Sequence, residues 1–206
     1  MKVLLVNGSP NEKGCTFTAL DEVARTLNAE GIDTEILWLG VEPLSACTAC
    51  GACEETGVCF MDDIVNRVIA MQDELEGLIV GSPVHYAGAT GQLTNFLNRL
   101  FFAGGSGLDS KFAAAVVSCR RGGASAAFGQ LNKYFLMNNM PVVPSQYWNM
   151  VHGHTPDQVR QDKEGLQTMR TLARNMAWLI RIKRAGLAAG IPLPVREPWT
   201  PTNFIR

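Results

Sequence analysis
The chain has no stretch approaching the roughly 20 apolar residues needed to span a bilayer. Its start, Met1-Lys2-Val3-Leu4-Leu5-Val6, superficially resembles a signal peptide. The apolar run is too short for one, and Asn7-Gly8-Ser9-Pro10 breaks it with turn residues. Net charge is nearly absent as well. A formal −1 over 206 residues gives no charge argument for nucleic acid or an anionic membrane surface. Gly-Lys-Ser/Thr is missing, which excludes the nucleotide-triphosphate P-loop, and Gly-x-Gly-x-x-Gly is missing, which excludes the dinucleotide fingerprint. There is no internal repeat and no low-complexity linker. The expectation is a cytoplasmic protein without nucleic-acid or membrane partners. Its 47% apolar composition is enough for one domain with a real core.

Short apolar runs alternate with helical periodicity along the chain. Lys2 to Val6, Thr34 to Leu39, Gly77 to Val80, Phe112 to Val117 and a short segment from Pro141 to Val143 read as strands. Thr16 to Glu30, a segment beginning at Asp62-Asp63, Thr90 to Phe102, Ala124 to Asn138 and a long stretch from Gln158 to Ala185 read as helices. Leu93, Phe96, Leu97 and Leu100 form the apolar stripe of the Thr90 helix. Residues 40 to 61 read as a loop, and the proline-rich tail from Ile191 reads as extended. Strands alternating with helices imply βαβ crossovers and a parallel sheet. Five strands in about 150 residues fit a flavodoxin-like doubly wound α/β sheet of order 2-1-3-4-5. Residues 1–150 would form the ligand-binding body, with a cysteine loop over 43–61. Residues 151–206 would add a helix and tail to the same domain for oligomer contacts.

Open α/β sheets bind ligands beyond the C-terminal strand ends, and three such ends carry unusual residues. After the first strand, Gly8-Ser9-Pro10-Asn11-Glu12-Lys13-Gly14-Cys15-Thr16-Phe17-Thr18 leads small and hydroxyl residues into a helix N-terminus, where free N–H groups and the helix dipole favour a phosphate. Ser9, Thr16 and Thr18 add hydroxyl donors; an ordinary turn with an N-cap is the competing reading. After the third strand, Gly81-Ser82-Pro83-Val84-His85-Tyr86-Ala87-Gly88 suits a flat aromatic ligand approached by backbone, or is a Gly-rich surface loop. After the fourth, Ser118 to Gly123 brings Arg120 and Arg121, facing an anion or solvent. Together the loops describe one pocket, with the phosphate at the first and a ring between the other two.

Four of six cysteines fall between Cys47 and Cys59. Without a secretory signal a disulfide framework is not expected, and clustered thiols then bind metal or do redox work. Cys47-x2-Cys50-x2-Cys53 resembles the ferredoxin run that wraps a [4Fe–4S] cube, with Cys59 arriving after five residues instead of three and no proline following. Ala49, Gly51 and Ala52 let the loop fold tightly. Structural zinc, reduced thiols at a subunit interface, and a cluster lost to oxygen remain open alternatives. The loop leaves the second strand, so it is expected on the same sheet edge as the phosphate site. Cys15 and Cys119 read as small loop or core residues.

Ser9-Pro10-Asn11 with Gly14 and Thr16, then Ser82-Pro83-Val84-His85-Tyr86 with Gly88, resembles the NADPH-dependent FMN reductase group of flavodoxin-like proteins. The resemblance runs from Met1 to about Trp148. The compact cysteine spacing is similar to that of the iron-sulfur flavoprotein family. The first resemblance implies that Ser9, Asn11, Thr16, Phe17 and Thr18 hold the FMN phosphate. Pro83, Val84, His85, Tyr86 and Gly88 would contact one side of the isoalloxazine, and Ser118, Arg120 and Gly123 the other. The second implies that Cys47, Cys50, Cys53 and Cys59 ligate one [4Fe–4S] cluster that exchanges electrons with FMN. NAD(P)H or a ferredoxin-like donor would supply the electrons, and a quinone or flavin would accept them. With the chemistry carried by the cofactor, no catalytic side chain is expected. The alternative is a cofactor-free regulatory or binding domain on the same fold.

The remaining features read as structural. Gln146-Tyr147-Trp148-Asn149 suits interface packing, and His152 and His154 read as surface residues. Arg170, Arg174, Arg181, Lys183 and Arg184 read as a solvated basic face. Apolar surface on the last helix and on the tail through Trp199 and Phe204 points to a homodimer or homotetramer.

Overall fold
The computed structural model describes residues 1–198 and 200–202; Trp199 and Phe204 lie outside the described residues. β1 (Lys2–Asn7), β2 (Asp33–Trp38), β3 (Leu75–Pro83), β4 (Phe112–Cys119) and β5 (Met150–His152) form one parallel sheet in the order β2-β1-β3-β4-β5. This is the expected flavodoxin-like order. Successive side chains of each strand point to opposite faces, and both faces are covered. Leu4, Val6, Leu78, Val80, Ala113, Ala115 and Val117 pack under α3 (Ile64–Met71), α4 (Gly91–Gly104) and α5 (Ala124–Met137). Val3, Leu5, Ile79, Ala114 and Val116 pack under α1 (Cys15–Ala29) and α7 (Lys163–Ala188). Double coverage is why the central strands read as unbroken apolar runs. Among the described residues no helix is long and apolar enough to cross a membrane.

Four sequence expectations need correction. The fifth strand is Met150–His152, paired with Val117–Cys119, and not Pro141–Val143. The earlier segment makes only a single bridge, Val142 to Ala113, because Pro144 has no N–H to carry the ladder on. The long C-terminal helix is broken: α6 (Pro156–Gln161) precedes α7, and Asp162 stands between them. Its carboxylate accepts from the Gly165 N–H (2.9 Å) and the His152 N–H (2.7 Å), which caps α7 and ties it to the end of β5. The basic face of α7 is largely paired. Arg170 reaches Glu22 (2.6 Å), Arg181 reaches Glu30 (3.0 Å), and Arg184 and Lys183 share Glu76. Finally, the cysteine loop contains a short helix, α2 (Ala52–Thr56), entered and left through left-handed Gly51 and Gly57.

Candidate functional site
The C-terminal ends of β1, β3 and β4 enclose a cleft of about 360 Å³. Ser9, Asn11, Thr16, Pro83, Val84, His85, Ser118 and Arg120 all line it, so the three loops do meet. They are laced together by buried hydrogen bonds. The Gly8 N–H donates to the Gly81 carbonyl (2.9 Å), and the Val84 N–H to the Ser118 carbonyl (2.9 Å). Thr90 Oγ1 donates to the Gly8 carbonyl (2.8 Å) while the Thr90 N–H donates to Ser82 Oγ (3.0 Å). The first loop is also braced from within: Ser9 Oγ accepts from the Asn11 N–H, and the Trp38 indole N–H donates to the Ser9 carbonyl (2.8 Å).

The N-terminus of α1 opens into this cleft without an internal cap. Gly14 stands at the N-cap and offers no side-chain acceptor. By contrast, Thr90 caps α4 and Asp63 caps α3 through their side chains. The first-turn N–H groups of α1 are therefore left to an external acceptor, which the helix dipole biases toward an anion. Thr16 is 1% and Ser118 2% exposed, and their hydroxyls bond each other at 2.9 Å. One hydrogen bond consumes one of two protons, so the pair retains a donor for a ligand oxygen.

The other expected cofactor residues stand around the cleft without lining it. Phe17 sits in the first turn of α1 with Lys13 Nζ 3.9 Å above its ring. Thr18 Oγ1 bonds back to the Gly14 carbonyl (3.1 Å). His85 and Gly88 exchange two 2.9 Å hydrogen bonds around a tight turn whose tip residues, Tyr86 and Ala87, both have positive φ. Tyr86 is fully exposed there. Gly123, at φ +88°, lets the third loop approach the second: a Cβ would stand 2.9 Å from Ala87 Cα and Val84 Cγ1. Sequence reasoning missed Cys15, Cys119, Gly153 and His154, which with Pro10 complete the lining. Cys15 Sγ donates to the Gly153 carbonyl (3.7 Å), a contact set by β5 and invisible from local pattern. Burial pushes both the Cys15 and Cys119 thiols above their ordinary pKa.

Cys47, Cys50, Cys53 and Cys59 line a second cavity of about 160 Å³, which shares no residue with the cleft. Among the described residues no three Cys, His, Asp or Glu side chains gather closely enough to hold a single metal ion. The loop does not stay at the sheet edge as expected but runs down one face of α4. Gln92 bonds the Leu44 N–H and the Glu42 carbonyl, and Asn95 donates to the Leu44 carbonyl (2.8 Å). Arg99 donates to Cys59 Sγ (3.3 Å) and the Met61 carbonyl (2.9 Å), and Cys53 Sγ meets the Phe102 carbonyl (3.7 Å). Residues 92, 95, 99 and 102 share one helical face, and at 1.5 Å per residue they carry the loop about 15 Å along the helix.

Arg99 was also missed. Its side chain is fully buried, and its fork meets both carboxylate oxygens of Asp63 (2.7 and 3.1 Å). Burial alone works against the guanidinium charge, but the hydrogen bonds it donates to Asp63 and Cys59 more than offset this and raise the pKa. Its signal in the sequence is position: an arginine three residues after Phe96, beside the apolar stripe of α4.

The family described as NADPH-dependent FMN reductase matches residues 1–155. An iron-sulfur flavoprotein of Methanocaldococcus jannaschii is 32% identical over 190 residues, covering 88% of this chain and 98% of that protein. Among solved structures, an archaeal flavodoxin superposes with a TM-score of 0.60 at 14% identity, covering 88% of this chain and 99% of its own. An NADH:FMN oxidoreductase superposes at 0.64 and 14% identity, covering 86% and 89%. With the doubly wound sheet, the uncapped helix in the cleft and the matched span all in agreement, the chain belongs to the NADPH-dependent FMN reductase family, as an oxidoreductase of flavodoxin-like fold with iron-sulfur flavoproteins among its relatives.

Proposed function
We propose that the chain is an FMN-dependent electron-transfer oxidoreductase that also carries a [4Fe–4S] cluster on Cys47, Cys50, Cys53 and Cys59. It would take electrons from NAD(P)H or a ferredoxin-like donor and pass them to an acceptor such as a quinone or flavin. The observation that carries the reading is the pairing of two cavities on one chain: an anion-ready cleft at the switch point, and four thiols around a separate space. Four cysteines on one cavity, three of them spaced by two residues as in ferredoxin loops, support the cluster reading.

When bound, FMN would supply the redox chemistry; the chain binds, orients and shields it. The first turn of α1, with Ser9, Asn11 and the Thr16–Ser118 pair, holds the phosphate. Pro83, Val84 and His85 form one wall for the ring, and Ser118 and Arg120 the other. Tyr86 stands clear of the cleft of its own chain, and Trp178, Ile182, Phe102 and Met137 are exposed apolar side chains. These surfaces support assembly as a homodimer or homotetramer. The length of α4 between loop and cleft suits electron exchange with the flavin of a partner subunit.

Anaerobic purification followed by flavin, iron and sulfide analysis tests the proposal. About one FMN, four irons and four sulfides per chain are expected. Flavin without iron after reconstitution would reduce the protein to a plain FMN reductase; neither would leave a cofactor-free domain. Rapid anaerobic flavin bleaching by NAD(P)H, against bleaching only by reduced ferredoxin, identifies the donor class.

A further inference from the structure
We infer that Arg99 is a positioning residue for the cluster: its Nε–H donates to Cys59 Sγ, orients that thiolate toward the cavity and stabilises the reduced form of the metal centre. The inference rests on the cluster reading of the cysteine cavity and goes beyond it.

The geometry leaves little else for this side chain to do at such cost. An arginine 0% exposed must have its donors satisfied. A bidentate pair with Asp63 already satisfies its charge. Asp63 is itself held by the Val65 N–H as the cap of α3 (3.0 Å), and Arg99 Nη2 also reaches the Met61 carbonyl. Its Nε–H points at a cysteine sulfur and at no oxygen. Cys59 is clamped from its other side. Its backbone N–H donates to Asn66 Oδ1 (2.9 Å) and its carbonyl accepts from Asn66 Nδ2 (2.7 Å). The fourth cysteine, the one set apart by five residues, is thus fixed by α3 and α4 before any metal arrives, while Cys50 stands exposed on the loop. A hydrogen bond to a ligating sulfur favours the form carrying more negative charge there, so it raises the reduction potential of an iron-sulfur centre.

Arg99→Leu combined with Asp63→Asn tests this. The pair removes one positive and one negative charge, so local net charge is unchanged, and asparagine still caps α3. Wild type and variant are reconstituted anaerobically, iron and sulfide are counted, and the cluster's midpoint potential is read by a redox titration followed by electron paramagnetic resonance. The expected result is a cluster in both, with the variant's one-electron reduction equilibrium at least tenfold less favourable, a fall of about 59 mV. An intact cluster with an unchanged potential overturns the inference. If the double variant fails to fold or to take up iron, Arg99→Lys replaces it: lysine keeps the charge and the pairing with Asp63 but lacks the fork that reaches the sulfur. A lowered potential in that variant supports the inference and an unchanged one overturns it. Wild-type protein that takes up no iron removes the cluster reading itself, and the role of Arg99 with it.

Discussion
The cleft at the ends of β1, β3 and β4 and the cavity ringed by cysteines share no residue, and they are built from different material. The cleft is made of sheet. Thr16, Ser82, Thr90 and Ser118 are buried and bonded to one another or to carbonyls at the strand ends, and buried Ser9 accepts from the Asn11 N–H. Its shape follows from strand register. The cysteine cavity is made of a mostly exposed loop whose polar anchors are side chains of α4. Its shape follows from which residues face outward on one helix. A ligand of the cleft therefore meets a preformed receptor. A ligand of the cysteines must hold together a loop in which Cys59 alone of the four is clamped by side chains of α3 and α4.

That contrast can be broken by substitution. The largest effect is expected at Gly123. An alanine there adds the cost of a left-handed residue to overpacking against Ala87 and Val84, about 2–4 kcal/mol together. Urea unfolding of Gly123→Ala should show it, with FMN affinity reduced. A neutral substitution would mean that the second and third loops are not locked together. Next is Thr16→Val, which breaks the Thr16–Ser118 hydroxyl pair proposed to hold the phosphate. The FMN dissociation constant, from fluorescence titration, should rise about tenfold or more for roughly 1.5–3 kcal/mol, while iron content stays unchanged. An unchanged constant in folded protein removes Thr16 from the site.

The smaller effect is pH-dependent and belongs to the cleft. The Cys15 and Cys119 thiols are raised by burial, while the same thiols in the unfolded chain ionise near their ordinary value of about 8.5. Between those points the unfolded chain has lost protons that the folded chain keeps. Stability is therefore intact below the ordinary value and falls as pH climbs through the raised ones. The urea midpoint should drop between pH 7.5 and 9.5, and Cys15→Ala should flatten that drop. In metal-free protein at neutral pH, iodoacetamide should reach exposed Cys50 well before Cys15 or Cys119.

The same contrast explains what was legible in the sequence. Strand order and the three loops could be read because Gly, Ser, Pro and Thr at strand ends report local backbone requirements. The four cysteines could be read because their spacing is a local pattern. The fifth strand was misplaced because three apolar residues after Asn139 look like a strand until Pro144 is weighed. Gly153 and His154 entered the cleft unannounced because β5, seven residues beyond Val143, sets their position. Arg99 was hidden because what distinguishes it, a carboxylate 36 residues away and a sulfur 40 residues away, is tertiary. Gln92 and Asn95 were unread for the same reason: only the apolar side of α4 carries a periodic signal.

The independence of the two cavities is the central claim, and Cys50→Ser tests it most directly. Cys50 lies on the exposed part of the loop, outside the cleft, and Arg99 bonds Cys59 and not Cys50. Wild type and variant would be isolated anaerobically, with iron counted and the FMN dissociation constant measured on the same samples. The account predicts that the variant loses its cluster iron and binds FMN within about twofold of wild type, under 0.5 kcal/mol. Loss of both cofactors together would contradict it.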